Sequence, residues 1–348
     1  MTTFFYYCVK VYIKLALFFY CNKIKINGLD NIPKKGAVLL VANHPNGLID
    51  PLLIASSIQR KTHFLVRAAV FKNPNVAKLL NWLGMMPVYR RRDGLREVAK
   101  NNSVFVKCQE LLNHQKMLLI FPEGSHLRKR TVRPLSKGFA RIITDTLLQY
   151  PDLTIHIVPV GITYQNPSVY PCKAAVSFGK SILVNTLINP EDCNAAFNIL
   201  RSRIASVLQQ LSVHIPDDLN YAPIEASLIE KEIDFTEVKT VNKMIRTKSN
   251  ASPPKISSTN VLYLLKLSII INSFIPYYLW KKIELKISEI EFKDTFRFGF
   301  NSVLFPLFYT LQAYAVFHIW NTFVALLYFI ASFLVVLMYT KLKPITPG

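Results

Sequence analysis

Through its first 190 residues the chain alternates short apolar runs with longer stretches of mixed polarity. The runs are GAVLLVAN (36–43), THFLVRA (62–68), MMPVYR (85–90), KMLLIFPE (116–123) and TIHIVPVGITY (154–164). They have the length and composition of strands, and the stretches between them are long enough for helices. The alternation predicts an α/β domain with a mixed, largely parallel sheet flanked by helices, its loops gathered where the strands end.

A different pattern holds at the two ends. At the start, MTTFFYYCVKVYIKLALFFYCNKIKI places Lys10 and Lys14 four apart on one face of a helix whose other positions are aromatic or aliphatic. That arrangement suits a helix in a membrane interface, and 1–25 is assigned to it. The segment has neither the early basic region nor the small-residue cleavage site of a secretory signal. Between Arg297 and Lys341 there is no charged residue. A bilayer core takes roughly 20 helical residues, so this stretch predicts a transmembrane hairpin over about 302–340, broken near His318–Thr322. Lys293 and Arg297 before it, and Lys341 and Lys343 after it, place both ends and the α/β domain on the cytoplasmic side. The earlier segment Val261–Trp280 is interrupted by Lys266 and Pro276, which leaves a re-entrant helix, an interfacial helix or a core helix open.

A periodic helical stretch follows Pro190 near Glu191–His214, then a charged segment around Glu225–Lys248, then RTKSNASPPKISSTN (246–260), which has linker composition. The domains are therefore 1–25, an α/β unit 26–215, a charged helical segment and linker 216–260, and a hydrophobic C-terminal region 261–348.

Composition narrows the partners. The 348 residues carry 42 Lys+Arg against 21 Asp+Glu, a formal net charge of +21. That excess calls for an anionic partner: nucleic acid, acidic lipid or a phosphorylated substrate. The aromatics cluster in the apolar segments instead of alternating with arginines, and no nucleic-acid motif accompanies the basic runs, so nucleic acid is set aside. Hydrophobic residues reach 51% and the mean hydropathy is +0.25, high for a soluble enzyme with 18% charged residues, so the apolar content is concentrated in particular segments. Five scattered cysteines match neither a metal site nor a disulfide scaffold and read as reduced. There is no internal repeat, P-loop or G-x-S-x-G elbow.

Candidate chemistry sits at the strand ends. The first run closes on His44, and Pro45-Asn46-Gly47-Leu48-Ile49 leads to Asp50. A carboxylate that orients one imidazole nitrogen leaves the other free to take a proton from a hydroxyl. The run KMLLIF opens into Pro122-Glu123-Gly124-Ser125, a second polar loop at the same edge, where a glycine lets backbone approach a ligand. MMPVY ends in Arg90, Arg91 and Arg92, and Arg128, Lys129, Arg130, Arg133 and Lys137 follow the second loop. Guanidinium groups suit bidentate phosphate recognition, so the two basic runs, each following a strand, make a phosphate site or a solvated basic surface.

Taken together, Asn43-His44…Asp50, Gly84…Arg90, Phe121-Pro122-Glu123-Gly124-Ser125 and Val158-Pro159-Val160 resemble, in order, the four blocks of the glycerophospholipid acyltransferase family. The family contains glycerol-3-phosphate and lysophosphatidate acyltransferases. The lead-in Ile26–Pro33 is similar too, and the resemblance covers about residues 1–190. The second and third blocks look closest to the fungal-type branch that acylates glycerol 3-phosphate or dihydroxyacetone phosphate. One departure is visible: the family usually has four residues between histidine and aspartate, and here there are five.

The resemblance implies direct acyl transfer from acyl-CoA or acyl carrier protein as co-substrate, with no cofactor and no metal. His44 would be the base and Asp50 its orienter, Glu123, Gly124 and Ser125 would shape the acceptor site, and Arg90, Arg128 and Lys137 would hold the phosphate. Two other readings stay open. One changes the acceptor to lysophosphatidate or a lyso-aminolipid. The other is a non-catalytic membrane scaffold for anionic lipid, which leaves the histidine–aspartate pair unexplained.

Overall fold

The computed structural model describes residues 2–90, 94–247, 260–287 and 290–347. The chain opens with α1 (Thr2–Tyr20) and β1 (Cys21–Asn27), then β2 (Ala37–Ala42), α2 (Ile49–Ser57) and β3 (Thr62–Arg67). It continues through α3 (Pro74–Trp82), β4 (Met85–Val88), α4 (Leu95–Ala99), α5 (Asn101–Asn113), β5 (Met117–Ile120) and α6 (Gly138–Gln149). After these come β6 (Ile155–Tyr164), β7 (Cys172–Phe178), the short β8 (Ile182–Leu183), and α7 (Cys193–Leu211), α8 (Tyr221–Glu230) and α9 (Val238–Thr247). The C-terminal helices are α10 (Asn260–Asn272), α11 (Phe274–Glu284), α12 (Ile290–Ile319) and α13 (Thr322–Leu342).

One mixed sheet has the order β1-β7-β6-β2-β5-β3-β4, with β8 also paired to β6. Strands β6, β2, β5, β3 and β4 run parallel, while β7 and β8 lie antiparallel to β6. Strand β2 is central and wholly buried. Its period of two sends Val38, Leu40 and Ala42 into a core with α1 and α2, and Leu39 and Val41 into a second core with α5, α6 and α7. All five predicted strands form, and the expected fold class is the observed one.

Pattern reading missed β1 and β7. The helix assigned to 1–25 stops at Tyr20, and Cys21–Asn27 pair in parallel with β7. CNKIKIN alternates as an edge strand does, but its lysines read as a continuation of the amphipathic helix. The charged segment beyond α7 folds as α8 and α9, which seal a third cluster with Val213, Ile215, Tyr221, Phe235 and Val241. Residues 248–259, most of the expected linker, lie outside the described residues, as do Arg91 and Arg92.

The expected C-terminal hairpin takes shape as α12 and α13. Both are long and apolar enough to cross a membrane, over Phe292–Ile319 and Thr322–Leu342, and the break falls at Trp320-Asn321. Asn321 caps α13 by accepting from Val324 N at 3.0 Å. The earlier apolar segment is broken at Ser273 into α10 and α11, bent by 94°. Helix α1 also has the length and apolarity to cross, over Thr3–Tyr20. It packs Tyr6, Leu17 and Tyr20 against the α/β domain and exposes Phe4, Val11, Leu15 and Phe18.

Candidate active site

Parallel strands bring their C-terminal ends to one edge of the sheet. There β2 delivers His44, β5 delivers Phe121-Pro122-Glu123, β4 delivers Arg90 and β6 delivers Tyr164. Pairing of Val158, Pro159 and Val160 with Leu40, Val41 and Ala42 sets the height of Tyr164 beside the His44 loop.

The residue before His44 is locked first. Asn43 donates to Ile162 O at 3.0 Å and accepts from Ile162 N at 2.7 Å, so a side chain continues the ladder where the strand ends. Residues 45–48 bend, and α2 begins at Ile49. The extra residue between histidine and aspartate is taken up in that bend, because His44 Nδ1 still lies 2.8 Å from Asp50 Oδ2. Asp50 is fully buried. It accepts from Asn46 N at 2.8 Å on Oδ2 and from Tyr164 OH at 2.6 Å on Oδ1. Three donors converging on two oxygens suit a carboxylate, and its place in the first turn of α2 adds the favourable end of the helix dipole. Burial raises the Asp50 carboxyl well above the usual carboxylate range, and the Tyr164 and Asn46 hydrogen bonds oppose that only in part.

His44 stacks on Phe121 with ring centroids 4.0 Å apart. Burial depresses its pKa to about 3; Glu123 opposes that shift, and Arg133 and Arg90 add to it. With 16% of the side chain still exposed, the ring is neutral near pH 7. The Asp50 contact assigns the proton to Nδ1, leaving Nε2 as an acceptor with no partner among the described residues. A neutral, oriented imidazole with one free nitrogen has the chemistry to accept a proton from a hydroxyl.

The second loop builds the cationic side. Gly124 takes φ +73, which turns the chain under Ser125. Leu127 N donates to His44 O at 3.1 Å and ties the two loops together. Arg133 Nη2 lies 2.8 Å from Glu123 Oε2, and its backbone N donates to Oε1 at 3.2 Å. The same guanidinium donates to Ser125 Oγ at 2.8 Å and to the Ser125 carbonyl. Glu123 and Ser125 therefore hold Arg133 in place. Arg90 leaves β4 behind Tyr89, whose backbone N and O are both held by Asn101, and is near enough to bias His44. Arg128 is half-buried, and its Nε meets no hydrogen-bond partner among the described residues.

Lys137 goes elsewhere. Its Nζ donates to Asn194 at 3.2 Å and lies over the Phe197 ring, on the face between α6 and α7. The structure does not bring it to His44, because α6 starts at Gly138 and turns that face toward α7. Arg133, by contrast, belongs to the cluster, although in the sequence it is one cation of a run. Arg130 in that run is structural: buried, it donates to Tyr164 O and Gln165 O and covers the Phe235 ring at 3.6 Å.

Sequence reading also missed a contribution from the C-terminal region. Asn46 Nδ2 donates to Asp294 Oδ2 at 3.1 Å, and Leu48 N donates to Thr295 Oγ1 at 3.0 Å. Asp294 is itself held by Tyr20 OH and by Arg297. The first turns of α12 thus brace the His44 bend, and Phe292 packs edge-on against His126, which is edge-on to His44.

Residues 23–163 match the family model described as Acyltransferase. Among curated proteins, the chain is 22% identical over 290 residues to glycerol-3-phosphate O-acyltransferase 1 of Saccharomyces cerevisiae, covering 57% of this chain and 38% of that protein. It is 29% identical over 134 residues to a 1-acyl-sn-glycerol-3-phosphate acyltransferase of Borreliella burgdorferi, covering 38% of this chain and 51% of that one. The chain thus spans about half or less of the length of these relatives. Among solved structures, the 1-acyl-sn-glycerophosphate acyltransferase from Thermotoga maritima aligns with a TM-score of 0.44 and 18% identity, over 60% of this chain and 81% of that one.

Proposed function

The chain carries an acyltransferase-family domain over residues 23–163, and from that premise we propose that it transfers a fatty acyl group from acyl-CoA or acyl carrier protein to glycerol 3-phosphate or dihydroxyacetone phosphate at a membrane. The observation that carries this reading is the pairing of a neutral His44, tied to buried Asp50 at 2.8 Å, with guanidinium groups at the same sheet edge.

In this reaction His44 Nε2 takes the proton from the acceptor hydroxyl as its oxygen attacks the thioester carbonyl. The imidazolium that forms is stabilised by Asp50, which keeps Nδ1–H in place. Collapse of the tetrahedral intermediate breaks the carbon–sulfur bond, and the proton passes from His44 to the leaving thiolate. No covalent acyl-enzyme is involved. Arg90 and Arg128 supply cations for the acceptor phosphate, and Arg133, fixed by Glu123 and Ser125, supplies a third. Holding the phosphate while the hydroxyl meets Nε2 turns an encounter of two molecules into an oriented one. α12 and α13 would anchor the domain on the cytoplasmic side, by the positive charge at both ends of the hairpin.

The name of the Borreliella relative supports a second acceptor, 1-acylglycerol 3-phosphate, which presents the same phosphate beside one acyl chain. The test uses membranes containing the full chain, labelled acyl-CoA or acyl carrier protein, and each acceptor in turn, beside a His44→Ala control. Acceptor-dependent product that disappears in the control supports the reading and names the substrate. Undiminished turnover in the control removes His44 as the base.

A further inference from the structure

Away from His44, the C-terminal helices and α1 enclose a cavity of about 590 Å³, within the roughly 300–1,000 Å³ typical of ligand pockets. Its lining changes character along the hairpin. Phe305, Pro306, Tyr309, Phe333 and Val336 give it apolar walls, and Lys293 and Arg297, at the start of α12, meet Lys343, just past the end of α13. In a hairpin those two ends lie together. At 1.5 Å per residue, the stretch from Arg297 to Tyr309 is about 18 Å long. The cavity is therefore charged at one end and apolar along the rest, the shape of an amphiphile.

The charges at that end do not cancel. Lys266 and Lys281 join the other three cations, and among the lining residues the carboxylate is Glu284. Glu284 is occupied by Lys281 at 2.9 Å and Lys293 at 2.7 Å, with Arg297 at 3.7 Å. Among the described residues, Lys266 and Lys343 have no acidic partner. Lys343 is held by the Tyr170 carbonyl at 2.7 Å. Burial, together with repulsion from Lys266 and Arg297, pushes its pKa down. The half-buried Lys343, with the exposed Lys266 beside it at the rim of an apolar cavity, is stabilised by an anion that brings its own apolar tail. A zwitterionic headgroup would set a further cation beside Lys266 and Lys343, so it fits less well.

We propose that this cavity holds one anionic phospholipid of the bilayer, its phosphate between Lys266, Arg297 and Lys343 and an acyl chain along Phe305, Tyr309 and Phe333. The site is separate from the reaction chamber: His44, Phe121, Glu123 and Arg133 are not among its lining residues. The two share a wall, since Arg297 in the cavity also holds Asp294, which holds Asn46 beside His44. The inference does not depend on the acyl-transfer reading.

Native mass spectrometry of the full chain, stripped of lipid in detergent and offered equal phosphatidylglycerol and phosphatidylcholine, tests it. One phosphatidylglycerol should be retained in preference by about tenfold or more, the order expected when two lysines face a net anionic headgroup in place of one that carries its own choline cation. The Lys266→Ala/Lys343→Ala variant should lose that preference, Lys266→Arg/Lys343→Arg should keep it, and Val336→Trp should weaken retention of both lipids by filling part of the apolar cavity. His44→Ala should retain phosphatidylglycerol like the parent chain, so an inactive protein leaves the proposal standing. Equal retention of the two lipids, or an unchanged preference in the double alanine variant of a protein with native circular dichroism, would overturn it.

Discussion

Asn46 and Asp294 are 248 positions apart in the chain, yet the Asn46 amide donates to the Asp294 carboxylate at 3.1 Å, two residues past His44. The contact joins the His44 loop of the α/β domain to the first turns of an apolar helix that lies outside the family-matched segment. Replacing Asp294 with alanine removes the acceptor shared by Asn46, Tyr20 and Arg297 and loosens the bend that positions His44. The expected result is a fall in kcat of about 10- to 100-fold with KM little changed, because small misplacements of a catalytic base are costly. Asp294→Asn, which still offers an oxygen to Asn46, should recover much of the loss. Unaltered kcat in the alanine variant would mean that α12 only anchors the domain.

The depressed pKa of His44 makes a prediction about pH. The active form of the base is neutral, so acidification removes activity only as pH falls toward the folded-state pKa. With that pKa near 3, kcat/KM should stay flat between about pH 7.5 and 5.5, where an unperturbed imidazole with pKa about 6.5 would lose roughly tenfold. Arg90 contributes to the depression, so Arg90→Ala should move the acidic limb toward neutral pH. A parent enzyme whose rate halves near pH 6.5 would contradict the buried environment described for the ring.

Tyr164 supplies a donor to Asp50 that a phenylalanine cannot. Both groups are buried, and the lost hydrogen bond leaves one carboxylate oxygen without its partner, which costs about 1–3 kcal/mol. Chemical denaturation of Tyr164→Phe should register that loss, and turnover should drop because Asp50 holds the imidazole less firmly. Stability equal to the parent would show that water replaces the hydroxyl without penalty.

How far these features could be read in the sequence depended on whether their cause was local. The five central strands are continuous apolar runs, and the hairpin break at Trp320-Asn321 interrupts an otherwise uncharged stretch, so both stood out. His44, Glu123 and Gly124 lie just past strand ends, where parallel topology gathers such positions at one edge, and Asp50 is six residues from His44 in the helix that follows. Strand β1 was hidden because its lysines match an interfacial helix as well as an edge strand. Tyr164, Asp294 and Thr295 reach the site by pairing and packing across more than a hundred residues, and nothing in their neighbouring sequence marks them. Arg133 and Lys137 lie four residues apart in one basic run, and only the start of α6 decides which of them faces the loop.

That last separation can be tested directly. Lys137 rests on Asn194 and Phe197, so Lys137→Ala should leave kcat/KM within about twofold of the parent, as for most exposed charges away from a site. Arg133→Ala should behave differently in two ways. It strands Glu123, whose side chain is 3% exposed, and an uncompensated buried charge costs about 3–5 kcal/mol. It also removes a cation next to His44, so affinity for a phosphorylated acceptor should weaken even where the fold survives. Pairing Arg133→Met with Glu123→Leu separates the effects: the double variant should regain stability in a thermal melt but not the lost affinity. If the double variant recovered both, Arg133 would be only the partner of Glu123, and the acceptor phosphate would rest on Arg90 and Arg128.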